Sequence, residues 1–152
     1  MNVRWLYRVL ADPERASDAL IGKLADGLRR LRKAEELDDV TRRALMEASY
    51  GAFLTAIAPR LGVTPTQVWA ADPRRGATAD KHWLACSHVR QAAIYLAHTM
   101  VGIPQRAIAR TVGLTEAAVC LACRSVEQRR DDPNFDRLLD QAAHDVTGRW
   151  TV

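Results

Sequence analysis

Apolar residues along this chain recur every three or four positions and hardly ever alternate, so the pattern predicts helices throughout and no sheet. Leu20, Leu24, Leu28 and Leu31 form one such stripe, preceded by "ERASDA", where Ser17 or Asp18 can cap the helix. A second long helix is expected from about Asp38 to Ala58, with Val40, Leu45, Ala48, Ala52 and Leu54 among its apolar positions. Asp-Pro pairs at Asp12–Pro13, Asp72–Pro73 and Asp132–Pro133 signal further helix starts. The aspartate accepts from amides that have no partner inside the helix, and proline at the first position has no N–H to leave unsatisfied. The polar stretch "DPRRGATADK" is the expected linker, residues 72–81, between an N-terminal helical region (1–71) and a C-terminal one (82–152).

Two segments carry helix-turn-helix spacing. In that motif two helices cross steeply, which needs a small residue at the close approach and a glycine at the turn. In "IARTVGLTEAAVCLACRSVE" these are Ala109 and Gly113, with Ile108, Val112 and Val119 as the apolar contacts and Thr115 as the cap of the second helix. A weaker copy upstream, "AIAPRLGVTPTQVW", keeps the offsets with Ala58, Gly62 and Val68, and Thr64 and Gln67 make a capping box. Pro59 falls inside its first helix, where it should kink or end it. That favours a packed helix-loop-helix corner over a second DNA-reading motif.

Length and composition fit one ordinary domain or two small helical ones: 152 residues, 48% hydrophobic and 26% charged. No apolar run reaches the roughly 18 residues of a membrane span, and an arginine interrupts the short apolar start, so neither a membrane helix nor a signal peptide is expected. A cytoplasmic location follows as the expectation. The net charge is a mild +4 but unevenly spread. Residues 81–130 hold seven basic side chains (Lys81, Arg90, Arg106, Arg110, Arg124, Arg129 and Arg130) against Glu116 and Glu127, a net of +5. Residues 131–152 hold Arg137 and Arg149 against five aspartates, a net of −3. A basic segment of this kind suits phosphate, although charge alone equally fits a solvated surface.

Little else points to chemistry. Cys86, Cys120 and Cys123 make no disulfide framework, and "CLAC" is half a zinc pattern without its other half. The histidines His82, His88, His98 and His144 form no arrangement with a nucleophile, so no enzyme, metal or cofactor is expected. Trp5, Trp69, Trp83 and Trp150 are expected to anchor helix packing.

The segment "SHVRQAAIYLAHTMVGIPQRAIARTVGL" followed by "ACRSVEQRRDDPNFDRLLDQ" resembles the C-terminal DNA-binding domain of the bacterial replication initiator DnaA. The matches are Arg90, Gln91, Ala93, Tyr95, Leu96 and Ala97, then Ile108, Arg110 and Gly113, then Val119, Ala122, Cys123, Arg124, Val126 and Glu127. The resemblance covers about residues 81–141, and no phosphate-binding GxxxxGK[ST] loop of the initiator's ATPase occurs. It implies an all-α protein with a C-terminal DnaA/Trp-repressor-like helix-turn-helix domain.

It also implies roles residue by residue. Arg90, beside Gln91, would enter the minor groove, and Lys81 would belong to the basic loop before that helix. Phosphate contacts would come from Gln105 and Arg106 at the turn entering the second helix; apart from the resemblance, Arg90, Arg106, Arg110 and Arg124 are the side chains expected to grip phosphates. Thr115, Glu116, Ala117 and Ala118 would open the recognition helix. There the family carries an acidic residue, a basic one and two threonines, and Leu114 stands where it commonly has arginine. Bidentate base contacts are therefore missing, whereas alanine can touch a thymine methyl and glutamate can accept from cytosine.

The expected function is a sequence-selective regulator of bacterial or prophage-like genes, nucleoid-associated and non-enzymatic. An activator of a gene-transfer-agent cluster is one protein of that design. Its expected partners are double-stranded DNA, a second copy as homodimer, and RNA polymerase or another transcription factor through the N-terminal helices. The alternative is an adaptor in replication control that uses the initiator-like domain on protein, without DNA.

Overall fold

Aspartates and threonines decide where most of the helices begin. The computed structural model describes residue 26, residues 39–73, residue 75 and residues 79–148. Among these residues there are six α-helices and no strand. Helix α1 runs Asp39–Ile57, α2 Pro65–Ala70, α3 Lys81–Thr99, α4 Gln105–Val112, α5 Glu116–Arg129 and α6 Pro133–Thr147. Thr64 accepts from the amide of Gln67 while the Gln67 side chain accepts from that of Thr64, the reciprocal box read from the sequence. The Thr115 hydroxyl accepts from the Ala118 amide at 3.1 Å, and Asp132 accepts from Asn134 at 2.9 Å with Pro133 at the first position.

One helix start differs from expectation. Asp72–Pro73 opens no helix; the cap is Asp80, whose carboxylate accepts from the amides of His82 and Trp83 at 3.0 and 3.2 Å. The leucine stripe of residues 20–31 and the Asp12–Pro13 pair lie outside the described residues, Asp26 excepted.

Helix α3 is the axis of the fold. Its residues from Ala92 to Ala97 are all buried, so it is covered on every side rather than along one stripe. Ala92, Ala93 and Ala97 keep its surface thin where α1, α4 and α5 approach. Helix α1 brings Leu45, Phe53, Leu54 and Ile57, each at most 1% exposed, onto α3 and α6. Val40, expected in that stripe, is 57% exposed instead. Leu139, Ala142 and Ala143 of α6 close the same core.

The linker expected at 72–81 is thus no boundary between cores. Residues from 44 to 68 and from 86 to 143 belong to one buried cluster. Residues 71 and 72, where the expected linker begins, are held by α3: Trp83 Nε1 donates to the Asp72 carbonyl at 2.8 Å, and Arg90 Nη1 donates to the Ala71 carbonyl at 3.0 Å.

Two corners turn on left-handed glycines. Gly113 has φ +71° and ends α4; Gly62 has φ +79° and ends the 3-10 turn Ala58–Leu61. Pro59 lies at the start of that turn, and α1 ends at Ile57 just before it, as a proline without a donor dictates. A Cβ at Gly113 meets nothing within 4 Å, and neither does one at helical Gly51. Backbone angle alone therefore separates them. Gly113→Ala is expected to cost about 1–2 kcal/mol, and Gly51→Ala to gain about 0.5–1 kcal/mol. Denaturant unfolding of the two variants checks the opposite signs.

Candidate nucleic-acid interface

The residues between Gln105 and Arg129 form two helices, α4 ending at the left-handed Gly113 and α5 capped by Thr115. Ile108, Ala109 and Val119 are buried where α4 and α5 meet. The amides of Gly113 and Leu114 both return to the Ala109 carbonyl, Leu114 at 3.0 Å, which closes α4 and aims α5 away from it. Outward on α5 run Ala117, Leu121, Arg124 and Gln128, spaced at four, three and four residues, with Glu116 and Glu127 also exposed and Val119, Ala122, Cys123 and Val126 buried.

The expected contact residues separate into three groups. Arg106, Arg110, Glu116, Ala117 and Arg124 are exposed on the corner, with Gln105 and Ala118 half-buried beside them. Arg106 Nε lies 3.8 Å from the Glu116 carboxylate, with side chains 74% and 59% exposed, so the pair links α4 to α5 only weakly. Arg110 and Arg124 have no hydrogen-bond or ion-pair partner among the described residues. Thr115 is exposed but its oxygen is committed to the cap.

Lys81 stands apart from the corner. It is exposed at the first turn of α3, two turns before His88, which faces Arg129 at the far end of α5 from Glu116. Gln91 is half-buried, its amide nitrogen 3.5 Å from Ser87 Oγ and its Oε1 buried without a partner.

Arg90 corrects the expectation of a groove-inserting side chain. It is 9% exposed and donates inward to the Ala71 carbonyl. Burial lowers its pKa, opposed by the nearby Tyr50, Cys86 and Asp72, while burial pushes the Tyr50 phenol up to about 12. A guanidinium that supplies a donor to a chain carbonyl under a packed tyrosine is a structural brace.

Two more arginines counted in the basic segment are likewise taken up. Arg129 lies 4.7 Å over the Phe135 ring, with Nε and Nη2 buried and unpartnered, and burial lowers its pKa. Burial, then the Arg129 charge, lowers the pKa of His88 as well. Arg130 donates to Asp136 at 2.5 Å, to Asp140 at 3.0 Å and to the Tyr95 hydroxyl at 3.1 Å, and Tyr95 donates to Glu127 at 2.6 Å. This network locks α3, α5 and α6 together: burial works against the Arg130 charge, and the hydrogen bonds Arg130 donates to Asp136 and Tyr95 outweigh it and raise its pKa. Of the seven basic side chains, Arg106, Arg110 and Arg124 are the ones left facing outward at the corner.

Leu121, not among the contact residues expected from the sequence, is 63% exposed at the middle of the outward stripe. Its signal was available: it falls four residues after Ala117 and three before Arg124, on the face away from Val119 and Ala122.

The upstream corner offers less. Its second helix, α2, has six residues, and Ala58 and Val68 are buried in the common core. Trp69 is 62% exposed there and meets the Tyr50 ring edge-on at 5.7 Å, while Trp83 is buried as a packing residue. Cys86 and Cys123 are buried free thiols whose pKa burial raises, and Cys120 is half-buried. No helix among the described residues is long and apolar enough to cross a membrane. No protein-family model, curated protein or solved structure matches the chain.

Proposed function

We propose that the chain binds double-stranded DNA through the α4–α5 corner and regulates transcription of bacterial or prophage-like genes, without catalysis. The observation that carries this reading is the pair Arg110 and Arg124, exposed and unpartnered on either side of a capped, glycine-turned helix pair. Cations without partners bind phosphate at little cost in lost internal contacts, and α5, capped by Thr115 just after the Gly113 turn, is the helix that would enter the major groove in this reading. The likeness to the initiator's C-terminal domain belongs to this proposal, with one change of role. Phosphate gripping falls to Arg106, Arg110 and Arg124, and Arg90 supports the fold.

An adaptor that meets protein rather than DNA is the second reading. The observation favouring it is Trp69, a large aromatic 62% exposed on α2, far in sequence from the corner.

Salt titration separates the two. Three phosphate contacts displace counterions, so the logarithm of the duplex binding constant should fall by about 2.7 for each tenfold rise in salt. Fluorescence anisotropy of a labelled duplex across sodium chloride concentrations measures the slope. No retention on duplex at low salt would overturn the DNA reading in favour of the adaptor.

A further inference from the structure

We infer that Leu121 and Ala117 read thymine methyl groups in the major groove, so that the preferred site is selected by apolar contact rather than by bidentate hydrogen bonds. The inference rests on the DNA reading above and adds its base chemistry. An isolated exposed leucine is ordinary on a protein surface. Leu121 is placed differently: it is 63% exposed at the centre of the α5 stripe, one turn after exposed Ala117 and one turn before exposed Arg124.

Charge argues for the occupant. Arg124 stands exposed one turn beyond Leu121 on α5, and Arg110 stands exposed on α4, neither with a partner among the described residues; Glu116, next to Ala117, has Arg106 at 3.8 Å, and Glu127 accepts from the Tyr95 hydroxyl at 2.6 Å. A protein partner for a leucine and an alanine would not call for unpartnered arginines at the rim, whereas a polyanion with apolar methyls on its groove floor does.

The chemistry of the stripe limits what can be read. Neither Leu121 nor Ala117 offers a hydrogen-bond donor or acceptor, so guanine and adenine edges gain nothing from them. The thymine C5-methyl is the apolar feature of the major groove. Spacing agrees as well. Four helical residues advance about 6 Å along the axis, and two base steps advance about 6.8 Å along one strand. With α5 lying along the groove, the two side chains reach methyls two steps apart.

The test starts from a duplex selected by the full chain from a random library. That duplex is then remade with deoxyuridine in place of thymidine, one position at a time, which removes the methyl and keeps the pairing edge. Affinity should fall about fourfold at each contacted position, the worth of one methyl group. Leu121→Ala should bind the thymidine duplex about fourfold more weakly and should lose the response to deoxyuridine at one position. Leu121 is exposed, so the unfolding midpoint of the variant should be unchanged, and Leu121→Gln provides a second variant with the same expected loss.

Salt-dependent binding that is indifferent to deoxyuridine at every position would overturn the methyl reading and leave the DNA reading standing. Failure to enrich any duplex would overturn both. A self-association abolished by Leu121→Ala, seen by sedimentation in the absence of DNA, would assign the stripe to a second copy of the chain and likewise overturn the inference.

Discussion

Replacing Phe53 by alanine is expected to cost about 3–5 kcal/mol, at the top of the range for a single core truncation. Phe53 is 0% exposed, among the largest side chains fully enclosed in the core, on the helix that packs against both α3 and α6. Total stability for a domain is on the order of 5–15 kcal/mol, so the variant approaches its unfolding threshold at ordinary temperature. The informative part is where the damage appears. Because residues 44–68 and 86–143 share one buried cluster, amides of α4 and α5 should lose hydrogen-exchange protection together with those of α1. A corner that kept its protection while α1 opened would show two separately folding units, and would restore residues 72–81 as a boundary.

That boundary shows what local sequence can and cannot reveal. Caps are encoded within four residues, so Thr64 with Gln67, Thr115 and Asp132 were legible. So was the α1 span, expected at about 38–58 and found at Asp39–Ile57, because its stripe is long and Pro59 ends it. A stripe tells that a helix has a buried side, not which element lies against it. The polar stretch at 72–81 therefore looked like a linker, although α1 packs directly on α3 across it. Asp72–Pro73 misled for a similar reason. The aspartate's carbonyl is claimed by Trp83 Nε1, and the helix waits for Asp80.

Charge was the least legible quantity. Seven basic residues within fifty positions look like one patch in a sequence, but a helix distributes them around its circumference and neighbouring helices then compete for them. Arg90, Arg129 and Arg130 occupy an inward or interhelical position, with partners 19 residues before Arg90, at Ala71, and 6 to 35 residues from Arg130. Those partners are set by packing. The apolar Leu121, overlooked beside the arginines, ended on the outward face for the same geometric reason.

The arginines consequently fall into two classes, and substituting them should give opposite signatures. Exchanging Arg106, Arg110 and Arg124 together for alanine should leave unfolding close to the parent, since surface changes of this kind usually stay within about 0.5 kcal/mol each. Duplex binding should weaken at every sequence tested, with the salt slope reduced by about 2.7, or 0.9 for each lost phosphate contact. Arg90→Ala should do the reverse. Removing its guanidinium leaves the Ala71 carbonyl without its donor and should cost about 1–3 kcal/mol of stability, with the salt slope of the remaining folded protein unchanged. Thermal unfolding and anisotropy on the same four proteins (parent, triple variant, Arg90→Ala and Arg110→Ala) measure both quantities. A slope reduced by about one unit in Arg90→Ala, with stability intact, would mean that this side chain leaves Ala71 for the groove when DNA arrives. The brace would then be a contact that DNA displaces, and the minor-groove role implied by the initiator resemblance would be recovered.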